Sequence, residues 1–198
     1  MTSAFPSVAT TANGTDAGSA TSATVQLPSG IVAGDRLLIV AVFNGAVTGL
    51  TIAGFSLVTG TGPSYVVERV ADGSEGSSIA ASWTTARSSA WYALRIINAH
   101  RTQPAEGATG SGTSANPDPP ALTASWGPLQ NLWIVTGGSL DAFSGYPTGY
   151  TNNQYTAGST TAIASATASL GVATQNPGAF TIDSSQAWRA NTVVIRPL

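Results

Sequence analysis

The sequence predicts an all-β chain, folded as a jelly-roll-type β-sandwich from two related sets of strands. Short apolar stretches recur about every ten residues, separated by Gly, Pro, Asn and Asp. No segment carries the 3.6-residue periodicity of an amphipathic helix. The chain also repeats itself. Arg36-Leu37-Leu38-Ile39-Val40 returns 95 residues on as Asn131-Leu132-Trp133-Ile134-Val135, and Gly54-Phe55 as Gly149-Tyr150. Ala90-Trp91, leading to Ile96-Ile97, returns as Ala187-Trp188, leading to Val193-Val194-Ile195. Repetition at this scale indicates two similar strand sets layered together.

Residues 1–23 read as an N-terminal arm or edge segment of Thr, Ser, Ala and Gly, with Phe5 as its apolar anchor. Residues 24–198 read as one sandwich domain with halves at about 24–99 and 121–197. Thr24-Val25-Gln26-Leu27 alternates and ends at the turn Pro28-Ser29-Gly30. Arg36 to Phe43 is a continuous apolar run, the pattern of a central strand covered on both faces. Asn44-Gly45 closes it with turn chemistry. Tyr65 to Val70, Ser78 to Trp83 and Ala90 to Ile97 complete the first half. Residues 100–120 hold three glycines and four prolines and read as a linker. In the second half, Leu122 to Trp126 and Leu132 to Val135 read as strands. Thr160 to Thr174 reads as a strand in spite of its alanines, because Ile163, Ser165, Thr167 and Ser169 alternate and no cap begins a helix. Ala179 to Ile182 and Ala187 to Ile195 close the sheet. The expectation is eight main strands in two related sets of four.

Only 8% of the residues are charged, against about 25% in an average domain. All seven basic residues are arginine, and the net charge is −2. Such a surface depends little on salt and carries no basic footprint for nucleic acid. No cysteine is present, so neither disulfides nor thiolate metal sites contribute. Met1-Thr2-Ser3-Ala4-Phe5-Pro6 has neither the charged nor the apolar region of an export signal. No apolar run reaches the ~20 residues of a membrane helix.

Reactive chemistry finds little support. His100 stands alone at the start of the linker, and no Gly-x-Ser-x-Gly elbow accompanies it, so it reads as a polar strand terminator. Asp72-Gly73-Ser74-Glu75-Gly76 sets two carboxylates in one loop. It lacks calcium-loop spacing and reads as a turn. No catalytic, cofactor or metal residues are assigned. Phe143, Tyr146, Tyr150 and Tyr155 form an aromatic loop. Tyr150 aligns with Phe55 and reads as core, whereas Phe5, Phe143, Tyr146 and Tyr155 are the candidate interface residues. Trp91 and Trp188 occupy equivalent strands and read as core.

Leu27-Pro28-Ser29-Gly30-Ile31-Val32-Ala33-Gly34-Asp35-Arg36-Leu37-Leu38 resembles a diffuse family of bacteriophage virion proteins. Thr123-Ala124-Ser125-Trp126-Gly127, Asn131-Leu132-Trp133 and Pro177-Gly178-Ala179-Phe180-Thr181 extend the resemblance over most of the chain from about Val25. It implies a jelly-roll-like domain that decorates a capsid or belongs to a tail, without enzymatic activity or cofactor. The leading expectation is a decoration or cement protein bound to the major capsid protein, as a homo-oligomer, with a trimer the natural assembly. Such a protein assembles in the host cytoplasm and leaves in the virion, which reconciles the low-charge surface with the missing export signal. The alternative is a tail-associated or receptor-binding module whose Phe143–Tyr155 loop meets a glycan.

Overall fold

The computed structural model describes residues 4–198. Among these residues the regular elements are fifteen strands: β1 (Ser7–Gln26), β2 (Arg36–Phe43), β3 (Thr51–Ile52), β4 (Ser56–Thr61), β5 (Ser64–Val70), β6 (Ser78–Ile97), β7 (Glu106–Ser114), β8 (Leu122–Thr123), β9 (Asn131–Ser139), β10 (Phe143–Gly145), β11 (Thr151–Ala157), β12 (Ala162–Leu170), β13 (Thr174–Gln175), β14 (Thr181–Ile182) and β15 (Gln186–Ile195). The first main sheet runs β1-β6-β2-β5-β4, with β3 paired to β6; the second runs β11-β12-β9-β15-β7. Every pairing is antiparallel.

Read from the edge strand that opens each half, the second sheet is β7-β15-β9-β12-β11, the order of the first repeated. Edge β4 lies over β7, and edge β1 over β11. Exchanging the halves exchanges these two contacts, so the sandwich has a pseudo-twofold relation, with β2 facing β9 near its centre. The predicted β-sandwich and its two related strand sets are therefore present. Each set holds five main strands, not four: β1, β2, β4, β5 and β6 in one, and β7, β9, β11, β12 and β15 in the other. The chain completes one main sheet before it crosses to the other, so this strand order is not the wound connectivity of a jelly roll.

Residues 151–157, read in part as an aromatic loop, form β11, and the linker also differs from its reading. The 100–120 linker contains β7, which pairs along nine residues with β15. Its glycines serve close approach, not slack. A Cβ on Gly107 would stand 2.8 Å from Thr59 Cγ2, and one on Gly112 would stand 2.6 Å from the Trp188 ring. The N-terminal segment, as far as it is described, is a paired edge strand from Ser7 onward, held along its length by β6. The remainder of the 1–23 expectation, residues 1–3, lies outside the described residues.

Three apolar clusters hold the layers. Between the sheets lie Leu38, Val40, Tyr92, Leu94, Ile134, Ile163 and Val193. Each Leu, Ile or Val buried there contributes about 1.5–3 kcal/mol relative to exposure. On the outer face of the first sheet, Ile39, Ala41 and Phe43 pack with Val25, Ala81 and Trp83. These come from the parts of β1 and β6 that bend past register breaks around Asp16, Ala20 and Ser22. On the outer face of the second sheet, Trp133, Val135 and Val194 pack under Phe143, Tyr150, Phe180 and Ile182. The short pairs β8–β13 and β10–β14 frame that cover. Both faces of β2 and β9 are thus covered, and every residue of both strands is buried, as continuous apolar runs require.

Candidate functional site

Phe143, Tyr146 and Tyr155 meet on the outer face of the second sheet. Their rings form an edge-to-face chain through Phe180. Tyr155 stands 6.4 Å from Phe143, Phe143 stands 5.5 Å from Phe180, and Tyr146 stands 5.8 Å from Phe180. The three residues play different parts. Phe143 is buried at 8% exposure, which corrects its reading as an interface residue: β10 pairs with β14 and turns the ring into the outer cluster. Tyr146 is half-buried, and its hydroxyl donates to the Gln154 carbonyl at 3.1 Å. Tyr155 is 42% exposed. Thr156 beside it points between the sheets and donates to the Tyr92 hydroxyl at 3.0 Å, so strand alternation turns Tyr155 outward. Phe5 lies apart, half-buried at the end of the first sheet where its carbonyl faces Asn98.

Two carboxylates border Tyr155. Partial burial, then Asp183 and Asp141, raise its phenol above the ordinary range. Asp141 is held in place: Ser184 donates to it at 2.6 Å and the Ala142 N–H at 2.9 Å. These bonds lower its carboxyl below the usual value, the Ser184 hydroxyl most. The patch therefore combines an exposed ring with acceptors at its margin.

Elsewhere the ionisable groups secure the backbone. Arg36, buried at 3% exposure, pairs with Glu68 and donates to the carbonyls of His100 and Gln103. Glu68 also accepts the Ala105 N–H at 3.0 Å. Together they fix the crossover between the main sheets. His100 Nδ1 accepts the Gln103 N–H at 3.0 Å, which makes it a turn-stabilising group within that crossover. Asp35 accepts from Arg95 at 2.6 Å and from the Val32 N–H at 3.0 Å. In the Asp72–Glu75 loop, Glu75 takes the N–H groups of Asp72 and Gly73, Asp72 takes that of Ser74, and Arg69 bridges both acids. The loop is a self-closed turn. Among the described residues, no three His, Cys, Asp or Glu side chains gather as a metal site.

A second concave feature opens between the sheets at one end. It is a cleft of about 270 Å³ where the last residues of β2 and β9 diverge. Val42, Phe43, Pro63 and Leu140 supply apolar walls, and Arg189 reaches its edge. Trp188 also borders it. This ring is half-exposed and donates to Ser114 Oγ at 2.9 Å, which corrects its reading as core. Its equivalent, Trp91, is buried as expected.

Sequence reasoning missed Arg36 and Glu68 as partners. The signal was present for Arg36: it is the one charge of an otherwise apolar strand, and such a charge needs an opposite one nearby. The cleft left no comparable signal, because its residues come from five separate segments. No family model matches the chain, and no curated protein or solved structure matches it either.

Proposed function

We propose that the chain is a non-enzymatic bacteriophage virion protein, a capsid decoration or cement protein that binds and stabilises the shell of the major capsid protein. The observation that supports this most is the division of labour on the sandwich. Its ion pairs hold turns and the crossover, while Leu57, Leu140 and Tyr155 stand exposed on a rigid frame at 61%, 50% and 42%. A body of this kind adheres through apolar and hydrogen-bonded contacts, and many copies add avidity. A trimer at a local threefold axis is the assembly we favour.

The test is co-sedimentation of purified chain with assembled shells lacking it, at low and at high salt. Retained binding at high salt is expected; loss at modest salt overturns the adhesive mechanism. Copy counting by mass spectrometry of intact particles separates a shell protein, present in hundreds of copies, from a tail protein present in a handful.

The exposed Tyr155 with Asp141 and Asp183 beside it favours one alternative, a tail or receptor module that binds a neutral glycan. The ring would stack on a sugar face and the carboxylates would accept hydroxyls. Saturable binding on a glycan array that Tyr155→Ala abolishes would establish this reading in place of the first.

A further inference from the structure

We propose that the cleft between β2 and β9 is a docking site for a peptide segment of a partner protein, one that inserts an apolar side chain flanked by carboxylates. The site is separate from the Tyr155 patch, and the assignment does not rest on the virion reading.

Charge complementarity identifies the occupant. Among the described residues, Arg36, Arg69 and Arg95 have carboxylate partners, whereas Arg87, Arg101, Arg189 and Arg196 form no salt bridge. Of these, Arg189 lines this cleft, and Arg87 lies against Gly45, which lines it. Arg189 borders it and makes one bond to its own chain, from Nη1 to the Trp188 carbonyl at 2.9 Å. Arg87 lies over the lining residue Gly45, so close that a Cβ on that glycine would stand 2.9 Å from Nε. The Arg87 Nε is buried without a hydrogen-bond acceptor. A half-buried guanidinium with unmet donors favours a carboxylate and binds it in bidentate fashion. The acid that follows the Leu140 wall does not serve, since Asp141 is engaged by Ser184 and by the Ala142 N–H.

The space between the cations selects for the rest of the ligand. Val42, Phe43, Pro63 and Leu140 make it apolar. Its volume of about 270 Å³ falls below the roughly 300–1,000 Å³ of drug-sized pockets, so it suits one or two side chains in place of a cofactor. The Asn44 side chain borders the opening and has no hydrogen bond among the described residues, leaving its amide free for a peptide backbone. An acid–apolar–acid segment satisfies all three features.

The test uses the full chain and three probes: acetyl-Asp-Leu-Glu-amide, its neutral counterpart acetyl-Asn-Leu-Gln-amide, and acetyl-Asp-Gly-Glu-amide. NMR follows the Trp188 indole N–H and the Arg189 side chain. Saturable millimolar binding of the first peptide is expected, with each control weaker by about tenfold. Arg189→Gln and Arg87→Gln should each weaken the first peptide to the level of the neutral one. Leu140→Glu sets a repelling carboxylate on an exposed position, where folding is undisturbed, and should weaken acidic peptide selectively. Equal binding of charged and neutral peptides, indifference to Leu140→Glu, or no saturable shift would each overturn the assignment.

Discussion

The ring of Trp91 lies against the backbone of Gly14, its cross-strand partner, and a Cβ on that glycine would stand 2.5 Å from Cζ2. The second half repeats the arrangement. Gly112 is the cross-strand partner of Trp188, with the corresponding distance 2.6 Å. In both sheets an edge-strand glycine makes room for the tryptophan of its neighbour, so the repeat extends to the level of a packing device.

Alanine at either glycine should overpack the site, but unequally. Trp91 is buried at 6% exposure and cannot swing away, whereas Trp188 is half-exposed and borders the open cleft. Gly14→Ala should cost about 1–3 kcal/mol, and Gly112→Ala clearly less. Urea denaturation midpoints decide it; equal losses would contradict the asymmetry.

Arg36 and Glu68 should behave as a unit. Removing either side chain leaves the other charged and buried, at a cost of about 3–5 kcal/mol. Arg36→Met with Glu68→Leu should cost far less than the two single losses combined, because the uncompensated charge is gone. What remains is the loss of the bonds to His100, Gln103 and Ala105. A double-mutant cycle measures the coupling, and additive single losses would refute it.

The fold class was legible because period and punctuation carry it. Arg36 to Phe43 and Leu132 to Val135 announced buried strands, and they are buried on both faces. The alternation of Ile163, Ser165 and Thr167 outweighed alanine's helix propensity, and β12 is a strand. Residues 106–114 were misread because glycine has two meanings. It breaks regular structure in isolation, yet in a paired edge strand it admits a bulky neighbour. Composition favours the first meaning, and only the partner ring, Trp188, reveals the second. Among the site residues, the grouping of Phe143, Tyr146 and Tyr155 was visible as a local cluster. Which ring turns inward was set by the pairing of β10 with β14, which buries Phe143, a long-range fact that no local window contains.

Asn191 ties the layers through polar bonds inside the core. Its amide nitrogen donates to Ser64 Oγ at 3.1 Å in the first sheet and to Thr136 Oγ1 at 2.9 Å in the second. Its oxygen accepts from Thr109 at 2.7 Å, and Thr109 meets Thr59 at 2.9 Å. Asn191→Leu preserves volume but orphans these hydroxyls, at about 1–3 kcal/mol for each group left buried. Adding Ser64→Ala and Thr136→Val to that variant should recover stability, since the stranded donors and acceptors are removed. Further loss in the triple variant would show that packing, not hydrogen bonding, sets the role of Asn191.

Stability should hold through neutral pH and fall at both extremes, for opposite reasons. Tyr92 and Tyr150 are pushed from 10 to about 12, chiefly by burial, and the Tyr150 hydroxyl has no partner. A phenol whose folded pKa exceeds its unfolded one stabilises the protein below pH 10, and that contribution disappears as pH rises towards 12. Alkaline unfolding should therefore begin above pH 10, with tyrosinate appearing in step with loss of structure. Asp72 and Asp141 act in reverse: hydrogen bonds, first from Ser74 and from Ser184, lower their carboxyls below 3.8. Their contribution is complete above that value and declines as pH falls below it. Thermal melts across the full range check both limbs. Tyr150→Phe should shift the alkaline limb to higher pH and leave the acid limb in place, while Asp141→Asn should flatten only the acid limb. A change in the wrong limb would mean that the titrating groups are others.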